Sequence, residues 1–112
     1  MFGCVPTNAL VLMWDMEYRS ASDLRVGEFV YNPWDVLTPS LVGAVLREQT
    51  GGVIELCRHG GLMGSADVVV LDRGRWMPLG ALTCAREEYC PEVARVVLLS
   101  DSPIHVDGRI LL

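Results

Sequence analysis

Few side chains in this chain can do covalent or acid–base chemistry, and their spacing limits what that chemistry could be. There are four cysteines, Cys4, Cys57, Cys84 and Cys90, and two histidines, His59 and His105. A thiolate is the strongest common nucleophile near neutral pH, so the cysteines are the first candidates for covalent work. None forms a CxxC pair, and the closest two, Cys84 and Cys90, are too widely spaced for the tight local pairs that zinc sites use. No metal site and no cofactor is therefore expected. No Ser-His-Asp or Cys-His set can be assembled for hydrolysis of an outside substrate. Glu87-Glu88 reads as a solvated loop pair, His59 beside Gly60-Gly61 as a turn residue, and His105 as a half-buried strand residue. The glycines at 51, 52, 60 and 61 are turn glycines, because no Lys-Ser/Thr pair or helix start follows them as a phosphate loop would need.

The bulk properties narrow the class further. At 112 residues the chain is expected to be one domain, 1–112, able to bury a core. Half of its residues are apolar, which argues against disorder. The formal net charge is -5 with no run of Lys or Arg, which argues against nucleic acid or an anionic membrane as partner. No apolar stretch approaches the roughly 18 residues that span a bilayer. Met1-Phe2-Gly3-Cys4 lacks the basic patch and long apolar run of a signal peptide, which leaves the compartment open with the cytoplasm as one option, and makes free thiols the default with a disulfide framework second.

The elements that would position these groups read as short strands and turns. Ala9 to Trp14 is an apolar run with a turn at Asp15-Met16-Glu17. Glu28 to Tyr31 is a strand stopped by Asn32-Pro33. Val42 to Arg47 and Val53 to Cys57 flank Gly51-Gly52, a hairpin signal because glycine supplies the positive φ of tight turns. Val68 to Leu71 precedes a turn at Asp72-Arg73-Gly74. Val93 to Leu99 is the most β-prone stretch, and Ile104 to Val106 and Ile110 to Leu112 flank a second hairpin signal, Asp107-Gly108. Ser20 to Leu24, with Ser20 or Ser22 as cap, and Pro78 to Leu82 are the only helix candidates. Trp14, Trp34 and Trp76 are expected to anchor the core or its rim. Many short strands with turn signals between them indicate an all-β sandwich or barrel.

Five blocks, in order along nearly the whole chain, resemble a known family. Cys4-Val5-Pro6-Thr7-Asn8-Ala9-Leu10-Val11-Leu12-Met13-Trp14-Asp15 is similar to the opening of a Hint domain, the self-cleaving fold shared by inteins and Hedgehog proteins. Ser22-Asp23-Leu24-Arg25-Val26-Gly27-Glu28-Phe29-Val30 resembles that family's x-D-L-x-x-G-D-x-V stretch. The segment from Gly61 to Leu71 resembles its L-x-x-T-x-x-H-x-V-L block, and Gly74-Arg75-Trp76-Met77-Pro78 its G-x-W-x-P sequel. Val93 to Ser102, followed by Val106-Asp107-Gly108, looks like the closing strands. That closing pattern, with Leu56-Cys57-Arg58, is most similar to the Vint-type branch.

The resemblance implies an all-β, Hint-like horseshoe or sandwich of short, mostly antiparallel strands, closed by pairing of its N- and C-terminal strands. It also implies a reaction on the chain's own flanking polypeptide, with no turnover of an external substrate. A thiol attacks the carbonyl of the peptide bond before its own residue and makes a thioester. On this resemblance Cys4 stands in the nucleophile position with Gly3 as acyl residue, Ser65 in place of the family threonine, and Asp67 at a common family residue. Several positions depart from the pattern. Val68 replaces the family histidine and Ala9 the threonine of the first block. Ser102 falls where the Vint pattern carries a histidine, and Arg95 where inteins carry an acidic residue or cysteine. The chain stops at Leu112, ahead of the family's closing histidine. General acids and bases contribute about 100-fold to 10,000-fold each, so cleavage through Cys4 is expected to be weakened or lost. The alternative is a catalytically dead β domain serving interaction or structure.

Overall fold

The computed structural model describes residues 3–112. Thirteen strands, a 3-10 turn and one helical turn follow one another among them, and every pairing of those strands is antiparallel. One sheet runs in the order β1 (Val5–Pro6), β11 (Glu92–Leu98), β5 (Ser40–Gln49), β4 (Phe29–Val30). A six-stranded sheet runs β3 (Tyr18–Ser20), β2 (Leu10–Leu12), β12 (Ile104–Val106), β13 (Arg109–Leu111), β8 (Val69–Asp72), β9 (Arg75–Pro78). The third holds β10 (Arg86–Tyr89), β6 (Val53–His59) and β7 (Leu62–Gly64). The fold is thus the all-β, antiparallel one expected, and it is closed where N-terminal strands meet C-terminal ones: β1 on β11 and β2 on β12.

Most turns sit where glycine or an Asx-Gly pair allows them. Asp107 and Gly108 both take positive φ, 49° and 78°, the pair of left-handed residues that a two-residue hairpin needs, and they join β12 to β13. The turn at residues 72–74 likewise joins β8 to β9. The helix at Leu79–Leu82 and the 3-10 turn at Ala21–Asp23 fall within the two candidate stretches, but Ser20 makes no side-chain cap.

The Gly51-Gly52 hairpin is corrected. The strands on either side form, yet they do not pair with each other: β5 pairs with β11 and β4, and β6 with β10 and β7. The glycines carry the chain from one sheet to another, held by the Cys90 N–H donating to the Gly52 carbonyl at 2.7 Å. Glu87-Glu88 is also corrected, from loop to strand β10, where Glu88 accepts from Arg58 at 2.7 and 3.1 Å. His59 ends β6 instead of sitting in the turn, 3.5 Å from the Asp72 carboxylate.

Near Gly43 the register of β5 on β11 slips, with Val97 opposite Ala44 but Leu98 opposite Val42. The extra residue is this glycine, and a Cβ on it would come within 2.7 Å of the Leu99 side chain. A bulge there bends the long strand β5.

Val11, Val30, Val42, Val70, Leu79 and Ala94 are buried in one core that all three layers share. Of the tryptophans, Trp34 and Trp76 meet at the rim with ring centroids 5.8 Å apart. Leu79 is fully buried on the helical turn, so its truncation should leave a hole in the core. Leu79→Ala is expected to lower unfolding free energy by about 2–5 kcal/mol in urea titration. Leu37→Ala, at a residue 84% exposed, should stay within about 0.5 kcal/mol of the parent.

Candidate functional site

The geometry begins at β1. Its residues Val5 and Pro6 lie opposite Ala94 and Val93 of β11, which draws the preceding Gly3–Cys4 peptide into the interior. Cys4 is buried, packed with Leu56, Cys90 and Val93. From the other side β7 and the turn after it come against the same peptide. The Ser65 N–H donates to the Cys4 carbonyl at 3.0 Å, and the Cys4 N–H donates to Ser65 Oγ at 3.1 Å. Ser65 Oγ–H in turn donates to Asp67 Oδ1 at 2.6 Å. The same carboxylate accepts the Gly3 N–H at 3.1 Å on each oxygen. Both amide N–H groups flanking the Gly3 carbonyl are therefore held, one by a hydroxyl and one by a carboxylate.

Two glycines make this approach possible. Gly3 has a φ of +63°, in the left-handed region that glycine adopts without steric cost. Gly64 is the last residue of β7, and a Cβ on it would lie 3.1 Å from the Cys4 carbonyl oxygen and 3.1 Å from Val68 Cγ2. With any other residue the neighbours would have to give by a few tenths of an ångström.

Partial burial pushes the Asp67 carboxyl up, but the hydrogen bonds from Ser65, from the Gly3 N–H and from its own N–H outweigh it, and the group is held below the ordinary carboxylate value. It is thus an ionised acceptor at neutral pH and not a store of protons. Burial pushes the Cys90 thiol up, with Cys4 and Glu88 adding to the rise and the Glu92 backbone opposing it. Burial likewise raises Cys57, beside Cys84 and Glu55. Both are protonated, inert thiols at neutral pH.

A cleft of about 490 Å³ opens beside the Gly3–Cys4 peptide. Gly3, Asp67, Val68 and Arg95 line it near this bond, and Ser100, Ser102 and Leu112 line it further along. The Leu112 N–H donates to the Val69 carbonyl at 2.9 Å, so both ends of the described chain reach the one cleft.

Of the residues that sequence reading put forward, Cys4, Ser65 and Asp67 stand together in one hydrogen-bonded group. Val68 is buried beside them and presents only methyl groups. Ser102 Oγ is 2.5 Å from Ser40 Oγ and 2.8 Å from Ser100 Oγ, a hydroxyl cluster in which nothing titrates near neutral pH. His105 is not part of the group. Strand alternation turns Ile104 and Val106 into the cleft and His105 to the opposite face, where its ring lies 6.2 Å from that of Tyr18 and 6.4 Å from that of Tyr31. Gly64 and Leu112 are part of the site and escaped sequence reading. The tight glycine could have been suspected from its place next to Ser65, but the closeness of Leu112 rests on the pairing of β13 with β8 alone.

No family profile and no curated sequence matches the chain. Solved structures do match its fold. The gp41-1 intein superposes with a TM-score of 0.69 at 11% identity, covering 97% of this chain and 98% of the intein. A bacterial intein-like domain from Clostridium thermocellum superposes with a TM-score of 0.70 at 14% identity, covering 100% of this chain and 99% of that domain. A variant of the gp41-1 intein gives 0.64 at 10% identity. The fold is therefore the Hint fold of inteins and intein-like domains, over essentially the full length.

The Asp67 hydrogen bonds predict a pH dependence. A carboxyl whose pKa is lower folded than unfolded stabilises the fold above its unfolded value, about 3.9, and loses that contribution as pH falls through the folded value. Urea midpoints measured between pH 7 and pH 2 should fall at the acid end in the parent chain. Asp67→Asn should lower the midpoint at pH 7 and flatten the acid decline, and equal slopes in both chains would refute the role given to the carboxylate.

Proposed function

We propose that this domain processes its own flanking polypeptide by an N-to-S acyl shift, in which the Cys4 thiol attacks the Gly3 carbonyl and leaves a thioester. The reading rests on one observation: the peptide bond before a buried cysteine is gripped on both sides by the Ser65–Asp67 pair. Such a grip fixes the amide plane, so that the thiol approaches the carbonyl from a set direction; holding reacting groups in place is worth a large share of such a barrier. Ser65 Oγ accepts from the scissile N–H and Asp67 holds Ser65, so Asp67 acts through the serine. The expected substrate is the chain itself, and whatever is joined ahead of Gly3 is the acyl group.

A second reading, a domain that keeps the fold and has lost the reaction, is favoured by Val68. The leaving nitrogen of an amide must gain a proton, and the side chain beside it in the cleft has none to give. The Vint branch suggested by the closing strands belongs to either reading.

The two separate in one experiment on the full chain with a folded tag joined ahead of residue 1, followed by intact mass with and without an added thiol. Thiol-dependent release of the tag that vanishes in Cys4→Ala is the outcome expected of a processing domain. Release that begins only in Val68→His, folded by circular dichroism, identifies the lost-reaction domain. If neither folded chain releases the tag, the processing reading is wrong.

A further inference from the structure

Among the described residues, Arg95 is the cation that lines the cleft beside the Gly3–Cys4 bond, and the hydrogen-bonded group does not use it. Arg95 is on β11, and continuing the pairing of Val5 with Ala94 by one residue places it opposite Cys4. Its Nε lies 3.8 Å from where a Cβ on Gly3 would sit, and its side chain lines the cleft with Gly3, Asp67 and Val68. Arg95 has no hydrogen-bond or ion-pair partner among the described residues, although Asp67 lines the same cleft. The Asp67 oxygens are already occupied by Gly3 and Ser65. A guanidinium is charged at every relevant pH and offers several N–H donors but no acceptor.

The Gly3 carbonyl is the atom pair that such a donor can serve. Because the Cys4 N–H points to Ser65, the trans peptide directs the Gly3 oxygen to the other side, away from the serine. No group of the Ser65–Asp67 pair can therefore reach that oxygen. We propose that Arg95 is the electrophilic group of the site, donating to the Gly3 carbonyl oxygen as negative charge develops there. This rests on the acyl-shift reading. In that step the Cys4 sulfur bonds to the Gly3 carbon, the carbon–nitrogen bond breaks, and the thiol proton ends on the Cys4 nitrogen. The sum is an isomerisation that needs no co-reactant. The guanidinium gains or loses no proton; it stabilises the tetrahedral oxyanion between the two states. It thus takes a task different from that of an imidazole at position 68, which would protonate the nitrogen.

Two readouts test this on the full tagged chain, one of them independent of cleavage. Arg95→Ala should slow thiol-dependent release by about 100-fold to 1,000-fold, the usual loss for one oxyanion donor, with Arg95→Lys between it and the parent. The charged guanidinium polarises the nearby Gly3 carbonyl without a hydrogen bond in the resting chain, so with 13C at that carbonyl Arg95→Ala should move the resonance upfield while the amide shifts of β5 stay in place. An unmoved carbonyl resonance, or release at the parent rate in Arg95→Ala, overturns the assignment. A parent chain and Val68→His that both fail to release the tag refute the acyl-shift reading itself, and the carbonyl resonance still decides whether Arg95 acts on this bond.

Discussion

The reciprocal hydrogen bonding between Cys4 and Ser65 is the constraint on which the rest of the site depends. Two residues 61 positions apart exchange a backbone and a side-chain bond, and everything around them is arranged so that they can. Gly64 leaves room for the Cys4 carbonyl, which a Cβ would crowd at 3.1 Å. Strand β1 is only two residues long, but β11 is paired with it on one side and β7 lies close on the other. The Asp67 carboxylate then fixes the serine hydroxyl, so the orientation of one side chain is decided by the next.

Much of the β architecture could be read in the sequence, and the part that could not has a common cause. Turns at Asp107-Gly108 and Asp72-Arg73-Gly74 were legible because a local demand for positive φ has a local answer in residue type. Gly51-Gly52 answers the same demand, but a left-handed turn inside a hairpin and one between sheets use the same residues. Only the long-range partners of β5 and β6 distinguish them. Strands β1, β3 and β7 are two or three residues long and too short to show a period. They are strands because of what they lie against.

The site divides in the same way. Cys4, Ser65 and Asp67 were found through block resemblance, since no spacing rule connects positions 4, 65 and 67. The exclusion of His105 came from alternation, a local property, and the ring's contacts with Tyr18 and Tyr31 agree with it. Arg95 stood out in the sequence only as a departure from pattern. Its nearness to Gly3 depends on the register between β1 and β11, and a shift of one residue would turn it to the other face. Among the cysteines, environment separates what residue type does not. Cys57 and Cys90 are held protonated by burial, Cys84 is exposed and outside the cleft, and Cys4 alone adjoins a gripped peptide bond with a free cation beside it.

The pairing of β1 with β11 also places Cys4 in time. Residues at positions 5 and 94 must find one another before the Gly3–Cys4 peptide is buried, and contacts so distant along the chain form late because loop closure comes before their reward. On a ribosome, where a chain emerges from its N-terminus, the residues of this domain made first are among the last to be placed. Until β11 has been synthesised, a segment ahead of Gly3 is attached to a cysteine that nothing has yet buried. The topology thus acts as a clock: whatever precedes the domain can finish its own folding before the bond that joins them is gripped.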